Sequence, residues 1–472
     1  MKVLFATAEA APFIRTGGLG DVAGALPKAL KENKVECAVI LPLYADMKAE
    51  FRNSLQFVGS TTVALSWRNQ YAGVFKSAVD GVEYFFIDNE YYFKRKGLYG
   101  HFDDGERFAF FSKAILEVLP LIGHFPDVLH VNDWQTALVP LFLDCFYREV
   151  AEYKNIKTVL AIHNIEFQGC MDKSVIGDIF GIPESHSAIA EYRNDANMLK
   201  AGIEASNKVV TVSPTYSVEI LDKFYSYGLD NILEARKYKL SGIVNGIDVN
   251  LYNPKSDKAL FKNYDYRNYG QKKENKHGLQ ALLGLPVCDK PLIGMVGRLT
   301  TQKGIDLVLA VIHEILEKDV QLVVLGTGDW KFENALQEVA KQYPTKLATA
   351  IYFSGDIASK IYGASDLFLM PSKFEPCGLS QMIAMRYGSI PIVRETGGLK
   401  DTVIPFDPVE GTGVGFTFKS YNAHDMLDAI NRSLACYGDS KLWRNGVVKN
   451  AMKQDFSWKK SAKEYIELYE SL

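Results

Sequence analysis

Short apolar runs alternate with longer helical patterns along this chain, and the alternation occurs in two separate series. The first series of predicted strands covers residues 3–7, 37–41, 128–131, 158–162 and 208–212, and the second covers residues 292–296, 322–325, 351–353, 367–370 and 390–393. Apolar strands without polar alternation, separated by helices, are typical of parallel sheets that are covered on both faces. Each half of the chain is therefore predicted to form a doubly wound, Rossmann-like α/β domain.

The length of 472 residues agrees with two domains, because single hydrophobic cores stop growing at about 250–300 residues. A turn motif at residues 241–248 precedes a polar, Lys- and Asn-rich stretch, which predicts a boundary near residue 242. We expect an N-terminal domain over residues 1–242, a second domain over 243–455, and a helix over 456–472 that packs back on the first domain. Ligands of open α/β sheets bind beyond the carboxyl ends of the strands, so two facing domains would form a deep cleft.

The charge balance restricts the partners of this chain. Lys and Arg number 53 against 56 Asp and Glu, with the two signs interspersed, which argues against nucleic acid or an acidic membrane surface as the main partner.

The apolar segments are too short for secretion or membrane insertion. Glu9 ends the apolar N-terminal run before it reaches the length of a secretory segment, and no window reaches the ~18 apolar residues of a membrane span. The six cysteines show neither metal-ligand nor disulfide-scaffold spacing, so we expect a cytoplasmic protein with reduced thiols.

One six-residue motif occurs twice with a single difference at its fifth position, as TGGLGD at residues 16–21 and as TGGLKD at residues 396–401. In both copies a Gly-Gly pair precedes an apolar helical run, which lets backbone N–H groups at a helix start approach an oxyanion closely. Two such cradles suggest one anionic ligand that is held between two lobes.

Two loops in the second half carry charged residues directly after predicted strands. The loop after residues 292–296 places Arg298 and Lys303 near the start of the next helix. Two cations and helix N-terminal amides suit a diphosphate, which must be held and then stabilised as it departs. The loop after residues 367–370 contains Glu375 in a turn with Pro and Gly, so it can present a carboxylate and free amides to a sugar.

Polar residues also follow predicted strands in the first half. His163 follows one strand, Asn132 and Asp133 end another, and Glu9 and Arg15 flank the exit of the first strand. Since the carboxyl ends of parallel strands share one edge of a sheet, these side chains would face the same cleft.

Two further motifs receive little weight. Residues 326–329 (GTGD) partly match a dinucleotide fingerprint, but Lys331 replaces its third glycine, so an NAD-linked dehydrogenase is a remote alternative. The pair Asp103 and Asp104 lies in a Gly-flanked polar segment, which is more typical of a solvated turn without nearby partners than of a metal site.

An aromatic cluster lies beside this acidic pair. The aromatic residues at 91–93 and 99 fit either sugar stacking or packing within a loop-rich subdomain.

In combination, these residues resemble the bacterial-type glycogen and starch synthases of glycosyltransferase family 5, which have the two-lobed GT-B fold. The resemblance spans nearly the whole chain and is carried by residues 16–22 (TGGLGDV), 97–100 (GLYG), 106–108 (ERF), 132–135 (NDWQ), 163–164 (HN), 244–248 (VNGID), 297–299 (GRL), 302–304 (QKG), 374–379 (FEPCGL) and 396–403 (TGGLKDTV).

This resemblance implies transfer of glucose from a sugar nucleotide, usually ADP-glucose, to the non-reducing 4-hydroxyl of an α-1,4-glucan such as glycogen, with retention. The residues that it implies as catalytic are His163, Arg298, Lys303 and Glu375. The residues that it implies as substrate-binding are Glu9, Arg15, Gly17, Gly18, Asp21, Asn132, Asp133, Asn245, Phe353, Cys377, Gly378, Leu379, Thr396, Gly397 and Gly398. No metal or other cofactor is expected, because cations and amides would meet the charge on the departing ADP.

The chain departs from the family pattern at two positions. Arg15 stands where the glycine loop usually opens with lysine, and Asn132 stands where the aspartate-tryptophan motif usually carries histidine. A planar guanidinium differs from a compact ammonium, so the geometry of closure could change. The alternatives are a UDP-glucose-using synthase, a weakened glucan- or nucleotide-binding homologue, and a glucan phosphorylase, which would need a lysine-bound pyridoxal phosphate.

Overall fold

The computed structural model describes all 472 residues, and they divide into two compact units. Unit 1 comprises Met1–Gly246 together with Trp458–Leu472, and unit 2 comprises Ile247–Ser457. The division falls after Gly246, and the residues from Trp458 onward group with the N-terminal unit.

Unit 1 contains a nine-stranded sheet and a separate three-stranded sheet. Its strands are β1 Lys2–Ala6, β2 Glu36–Pro42, β3 Gln56–Leu65, β4 Arg68–Val79, β5 Val82–Asp88, β6 Val128–Asn132, β7 Lys157–Ile162, β8 Cys170–Asp172, β9 Glu191–Tyr192, β10 Asp195–Asn197, β11 Lys208–Thr211 and β12 Leu240–Gly242. The large sheet has the order β12-β11-β7-β6-β1-β2-β5-β4-β3. Its pairs are parallel except β3 with β4 and β4 with β5.

The antiparallel part of this sheet is absent from the sequence prediction. β3 is largely exposed along its length, and it lacks the continuous apolar character of β1 and β6. Antiparallel strands tolerate one solvated face, whereas the doubly wound pattern selects only strands that are buried on both faces. Residues 56–88, for which the sequence predicts no strand, therefore form a β-meander of β3, β4 and β5.

Helices occupy the longer connections between these strands. The helices before unit 2 are α1 Gly18–Glu32, α2 Ala49–Arg52, α3 Glu90–Phe93, α4 Asp104–Glu117, α5 Leu119–Ile122, α6 Asp133–Thr136, α7 Leu138–Phe142, α8 Val175–Asp178, α9 Glu184–Ala190, α10 Met198–Ala205, α11 Pro214–Glu219 and α12 Asp230–Ala235. A π-helical turn at Leu143–Tyr147 follows α7, and a 3₁₀ turn at Lys237–Lys239 precedes β12.

Unit 2 is built on a six-stranded parallel sheet with the order β15-β14-β13-β16-β17-β18. Its strands are β13 Leu292–Val296, β14 Gln321–Leu325, β15 Leu347–Ala350, β16 Leu367–Met370, β17 Ile390–Arg394 and β18 Phe416–Phe418. The predicted strand at 351–353 is wrong, because β15 ends at Ala350. Phe353 is 89% exposed in the loop that follows, so the apolar run there does not belong to the core.

Helices alternate with these strands along the chain of unit 2. They are α13 Lys272–Leu282, α14 Ile305–Ala310, α15 Ile312–Glu317, α16 Trp330–Gln342, α17 Gly355–Ala364, α18 Ser380–Arg386, α19 Gly397–Thr402, α20 Ala423–Tyr437, α21 Ser440–Leu442 and α22 Lys449–Met452. Short 3₁₀ turns lie at Tyr269–Gln271 and Thr301–Lys303, and a π-helical turn lies at Trp443–Val448.

The last helix, α23 Trp458–Glu470, lies in unit 1 and contacts α1. Its buried face includes Trp458 and Tyr469, and the Tyr469 hydroxyl lies 2.7 Å from Nδ1 of His130 on β6. None of the helices is both long enough and apolar enough to cross a membrane.

Candidate functional site

In unit 1, Glu9 lies in the segment between β1 and α1 and is 4% exposed. It accepts hydrogen bonds from the backbone N–H of Thr16, from the Thr16 hydroxyl at 3.1 and 3.2 Å, and from the Tyr99 hydroxyl at 3.3 Å. Burial raises the pKa of the Glu9 carboxyl, although these hydrogen bonds act in the opposite direction. Glu9 therefore fixes the residue that precedes the first Gly-Gly pair. The role of Tyr99 was not predicted, although the motif at residues 97–100 contains it.

The first Gly-Gly pair stands at the start of α1, where Gly17 is the N-cap and no side chain caps the helix. A Cβ atom added at Gly17 or Gly18 would meet no other atom within 4 Å. Arg15 forms an ion pair with Asp21 in the first turn, and burial is the main cause that raises the pKa of Asp21. The backbone at the start of α1 is thus exposed beside an arginine.

His163, Asn132 and Asp133 meet at the carboxyl ends of β6 and β7. Nε2 of His163 lies 2.9 Å from Oδ1 of Asn132, and the backbone N–H of His163 donates to Oδ1 of Asp133 at 2.7 Å. Asp133 adopts a left-handed conformation with φ 52°, which turns the chain sharply from β6 into α6. The structure therefore brings together the three residues that were predicted from two separate strands.

Burial controls the protonation of this cluster. It raises the pKa of the Asp133 carboxyl to about 7, and the backbone N–H groups of His163 and Asn164 lower it only in part. It also lowers the pKa of His163 to about 4, so this imidazole is neutral at neutral pH. A neutral imidazole has one ring nitrogen that donates a hydrogen bond and one that accepts, and the contact of Nε2 with Asn132 leaves Nδ1 for a ligand.

Asn245 also lies in unit 1, after β12, and is 6% exposed. Its Oδ1 is buried and has no hydrogen-bond partner in the protein. Buried polar atoms are nearly always paired, so an unpaired acceptor at a strand end is suited to contact a ligand.

In unit 2, the loop after β13 carries the two predicted cations. Arg298 is exposed, and its Nη2 donates to Oε1 of Gln302 at 3.2 Å. Lys303 ends a 3₁₀ turn, and Gly304 follows with φ 75°. A Cβ atom at Gly304 would lie 2.2 Å from the carbonyl oxygen of Pro371, so this loop packs directly on the loop after β16.

That packing joins Lys303 to Glu375. Nζ of Lys303 lies 2.6 Å from Oε2 of Glu375, which also accepts a hydrogen bond from the Ser372 hydroxyl at 3.0 Å. Glu375 is 6% exposed. The sequence predicted both charged residues but neither their contact nor the part played by Ser372.

The second Gly-Gly pair starts α19 and is buried against the Glu375 loop. Gly397 has φ 42°, and a Cβ atom there would lie 2.0 Å from the carbonyl oxygen of Glu375. A Cβ atom at Gly398 would lie 2.3 Å from the carbonyl oxygen of Cys377. The N–H of Gly398 donates to the carbonyl oxygen of Glu375 at 3.2 Å. These glycines are therefore needed where two backbones pack closely.

The other predicted residues of unit 2 surround these loops or follow β15. Cys377 and Thr396 are buried, Gly378 has φ 72°, and Leu379 is half-buried before α18. Phe353 follows β15, and its side chain is free for stacking because it is 89% exposed.

The glycines of the GTGD motif have a structural explanation. A Cβ atom at Gly326 would lie 1.8 Å from the carbonyl oxygen of Gly297, and one at Gly328 would lie 2.3 Å from that of Leu299. The motif therefore lets the loops after β13 and β14 pack together.

The acidic pair differs from the prediction of a turn without partners. Asp103 forms an ion pair with Arg95, and Asp104 begins α4 and forms an ion pair with Arg107. Nearby, Phe93 is fully buried, in agreement with a packing role for that part of the aromatic cluster.

Two family models match this chain. One, described as starch synthase catalytic domain, matches residues 2–235. The other, described as glycosyl transferases group 1, matches residues 286–451. The first match covers most of unit 1, and the second lies within unit 2.

Curated relatives match over the full length. A glycogen synthase of Clostridium acetobutylicum is 50% identical over 476 residues, one of Alkaliphilus metalliredigens is 48% identical over 475, and one of Bacillus cereus is 49% identical over 475. In each case 100% of both chains is covered.

Solved structures agree with these matches. The catalytic domain of starch synthase IV from Arabidopsis thaliana, bound to ADP and acarbose, is 34% identical with a TM-score of 0.91, covering 100% of this chain and 98% of that one. Sucrose-phosphate synthase from Thermosynechococcus elongatus, at 18% identity, a TM-score of 0.63 and the same coverage, shows the fold alone. The chain therefore belongs to the glycogen and starch synthase family of hexosyltransferases and has the GT-B fold of two Rossmann-like domains.

Proposed function

We propose that this glycogen synthase transfers glucose from ADP-glucose to the non-reducing 4-hydroxyl of an α-1,4-glucan, with retention of the anomeric configuration. The observation that carries the proposal is the ion pair of Lys303 and Glu375, which joins the loops after β13 and β16, with Arg298 in the first of these loops. Cations at the carboxyl ends of parallel strands suit a nucleotide diphosphate.

The leaving group gains negative charge as the bond to glucose breaks. Lys303 is held by Glu375 at 2.6 Å, so its ammonium is fixed before the substrate arrives. Preorganised charges of this kind stabilise a transition state without the cost of reorganisation. In the proposal, Lys303 and Arg298 bind the distal diphosphate, and the amides of residues 377–379 and 396–398 contact the donor.

The glucose is assigned to residues of unit 1. His163 offers a neutral imidazole and Asn245 an unpaired acceptor, and both suit hydroxyl groups of the transferred sugar. Glu9 and Asp21 are assigned to the side of the acceptor. Catalysis then comes from positioning the donor sugar and the acceptor hydroxyl next to each other. Water must be excluded, because it would otherwise accept the glucose.

Substitution of Lys303 by Ala tests the leaving-group role. We expect the rate of glucose incorporation into glycogen to fall roughly 10²–10³-fold, which is the cost of removing one preorganised donor. The measurement is transfer of radiolabel from ADP-glucose. Lys341→Ala is the matched control, because Lys341 forms an exposed ion pair with Glu338 elsewhere in unit 2. Equal rates for the two variants would remove the assignment.

The preference for ADP-glucose is tested separately. Phe353 is proposed to stack on the adenine, since its ring is 89% exposed after β15. Stacking of a base on an aromatic ring contributes about 1–3 kcal/mol, so Phe353→Ala should raise KM for ADP-glucose roughly 5- to 150-fold. Wild-type kcat/KM should be higher for ADP-glucose than for UDP-glucose, and the reverse order would contradict the donor assignment.

The proposed location is the cytoplasm. None of the six cysteines forms a disulfide bond, which fits a reducing compartment. Cell fractionation should recover glucose transfer in the cytoplasmic fraction, and recovery outside it would contradict the location.

A further inference from the structure

Asn132 is held rigidly at the end of β6. It is completely buried, β6 lies between β1 and β7, and Asn132 pairs with Ala161 of β7. The hydroxyl of Thr136 accepts a hydrogen bond from the Asn132 N–H at 2.7 Å and donates to the Asn132 carbonyl oxygen at 2.8 Å. The backbone of Asn132 is therefore fixed on both sides of its Cα atom.

Two hydrogen bonds determine the orientation of the Asn132 side chain, which also lies beside the buried imidazole of His130. Nδ2 donates to the backbone carbonyl oxygen of Ala6 at 2.9 Å, and Oδ1 lies 2.9 Å from Nε2 of His163. A carbonyl oxygen can only accept, so the amide NH₂ group must face Ala6. Oδ1 must then face His163, and since Oδ1 can also only accept, Nε2 must carry the hydrogen.

A neutral imidazole carries one hydrogen, so this contact leaves Nδ1 of His163 with a lone pair. Nδ1 makes no hydrogen bond with the protein, and the side chain of His163 is half-buried at the strand end. The groups around it do not compete for Nδ1, because Asp133 binds the backbone of His163, and Nδ1 of His130 lies beside the Tyr469 hydroxyl.

We propose that Asn132 is a positioning residue, which holds His163 as the Nε2–H tautomer so that Nδ1 accepts a hydrogen bond from a hydroxyl of the transferred sugar. The role in transfer rests on the proposed function, whereas the tautomer follows from the protein geometry alone. An amide does not titrate, so Asn132 imposes this orientation over the whole working pH range.

The tautomer can be measured directly without any substrate. The full chain is labelled with ¹⁵N-histidine, and the signal of His163 is assigned by its loss in His163→Gln. We expect ¹⁵N shifts of a neutral ring that is protonated on Nε2. Protonation of the neutral ring on Nδ1 would overturn the proposal, and this result needs neither a folded Asn132 variant nor enzymatic activity.

Two variants test the consequence for transfer. Asn132→Leu removes the acceptor, so we expect loss of the single tautomer and a fall of roughly 10–100-fold in kcat, as for the loss of other orienting partners. Asn132→Asp keeps an acceptor for Nε2–H but places a carboxylate there, so the acid side of the pH–rate profile should shift to higher pH.

Asn207→Leu and Asn207→Asp are the matched controls. Oδ1 of Asn207 accepts from the N–H of Thr158 at 2.9 Å, at the opposite end of β7 from His163. Equal kcat values for Asn132→Leu and Asn207→Leu, or an unshifted pH profile for Asn132→Asp, would overturn the positioning role. Absence of glucose transfer by the wild type would instead contradict the proposed function, and the NMR result would still test the tautomer.

Discussion

The two copies of the TGGL motif, at residues 16–19 and 396–399, have the same residues but different structural surroundings. In unit 1, Gly17 and Gly18 are exposed, and added Cβ atoms would meet nothing within 4 Å. In unit 2, Gly397 and Gly398 are buried, and added Cβ atoms would lie 2.0 and 2.3 Å from carbonyl oxygens of the Glu375 loop.

This difference shows that the same sequence pattern can serve close backbone packing in one unit and an open helix start in the other. The second pair is required by the folded structure of unit 2, because it lets α19 begin against the backbone that carries Glu375. The first pair has no such requirement within unit 1, so its missing side chains leave the start of α1 open to a ligand. The following predictions test whether this distinction holds.

The largest effect is expected for Gly397→Ala. Its positive φ and the 2.0 Å approach to the Glu375 carbonyl oxygen should together lower the unfolding free energy of unit 2 by about 2–6 kcal/mol. Urea unfolding measures this change, and Gly355→Ala, at an open position in the same unit, is the control. Equal stability of the two variants would show that the second pair is not needed for packing.

Gly18→Ala should separate activity from stability. A methyl group fits there without a clash, so the unfolding free energy should change by no more than about 1 kcal/mol. Glucose transfer should nevertheless fall by up to roughly 100-fold, which is the cost of displacing a bound group by about 1 Å. Gly177→Ala, also at an open position in unit 1, is the control. Full activity of Gly18→Ala would mean that the open backbone has no part in binding.

Glu9 binds Thr16 of the first copy, and its contribution to the free energy of unfolding should depend on pH. Burial raises the pKa of Glu9 above its usual 4.5, so the folded protein holds this proton more tightly than the unfolded chain. The resulting stability is present below about pH 4.5 and is lost as pH rises through the folded-state pKa. The unfolding free energy of wild type minus that of Glu9→Gln should therefore decrease between pH 4 and pH 8.

The control for that experiment is Glu50→Gln on α2, where the carboxylate is exposed. The difference in unfolding free energy between the wild type and Glu50→Gln should vary less with pH than the corresponding difference for Glu9→Gln. A difference for Glu9→Gln that stays constant would show that the first copy is not anchored by a buried carboxyl group.

The smallest effect is expected for the pair of Arg15 and Asp21. Their side chains are 45% and 31% exposed, and ion pairs near the surface contribute about 0–1 kcal/mol. A double-mutant cycle with Arg15→Gln and Asp21→Asn, each of which removes one charge, should give a coupling energy below about 1 kcal/mol in urea unfolding. A larger coupling would mean that a specific ion pair, and not an open backbone, defines the first copy.

Much of the fold could be predicted because buried parallel strands are continuous in the sequence. β13 and β16 have the predicted bounds, and they end in the loops where Arg298 and Glu375 were expected to lie. The prediction was wrong at residues 351–353, where an apolar run is exposed, and it omitted the half-solvated strands β3 and β4. An apolar run in the sequence does not by itself show whether an aromatic side chain such as Phe353 is buried or exposed.

The site was less predictable, because its contacts join residues that are distant in the chain. Lys303 and Glu375 are 72 positions apart, and Glu9 and Tyr99 are 90 apart. Strand ends indicate which loops share an edge of a sheet, but side-chain geometry decides which atoms meet. The orientation of Asn132 likewise depends on Ala6, whose carbonyl oxygen has no sequence signal.

The return of the chain to unit 1 at Trp458 has a consequence for biosynthesis. Ile247 and Ser457 form a parallel bridge, so the segments that enter and leave unit 2 run side by side. The ribosome makes all of unit 2 before it makes α23, whose Trp458, Tyr465 and Tyr469 complete the core of unit 1. A chain that is truncated after residue 457 should therefore carry a protease-resistant second unit and a first unit that still binds chaperones.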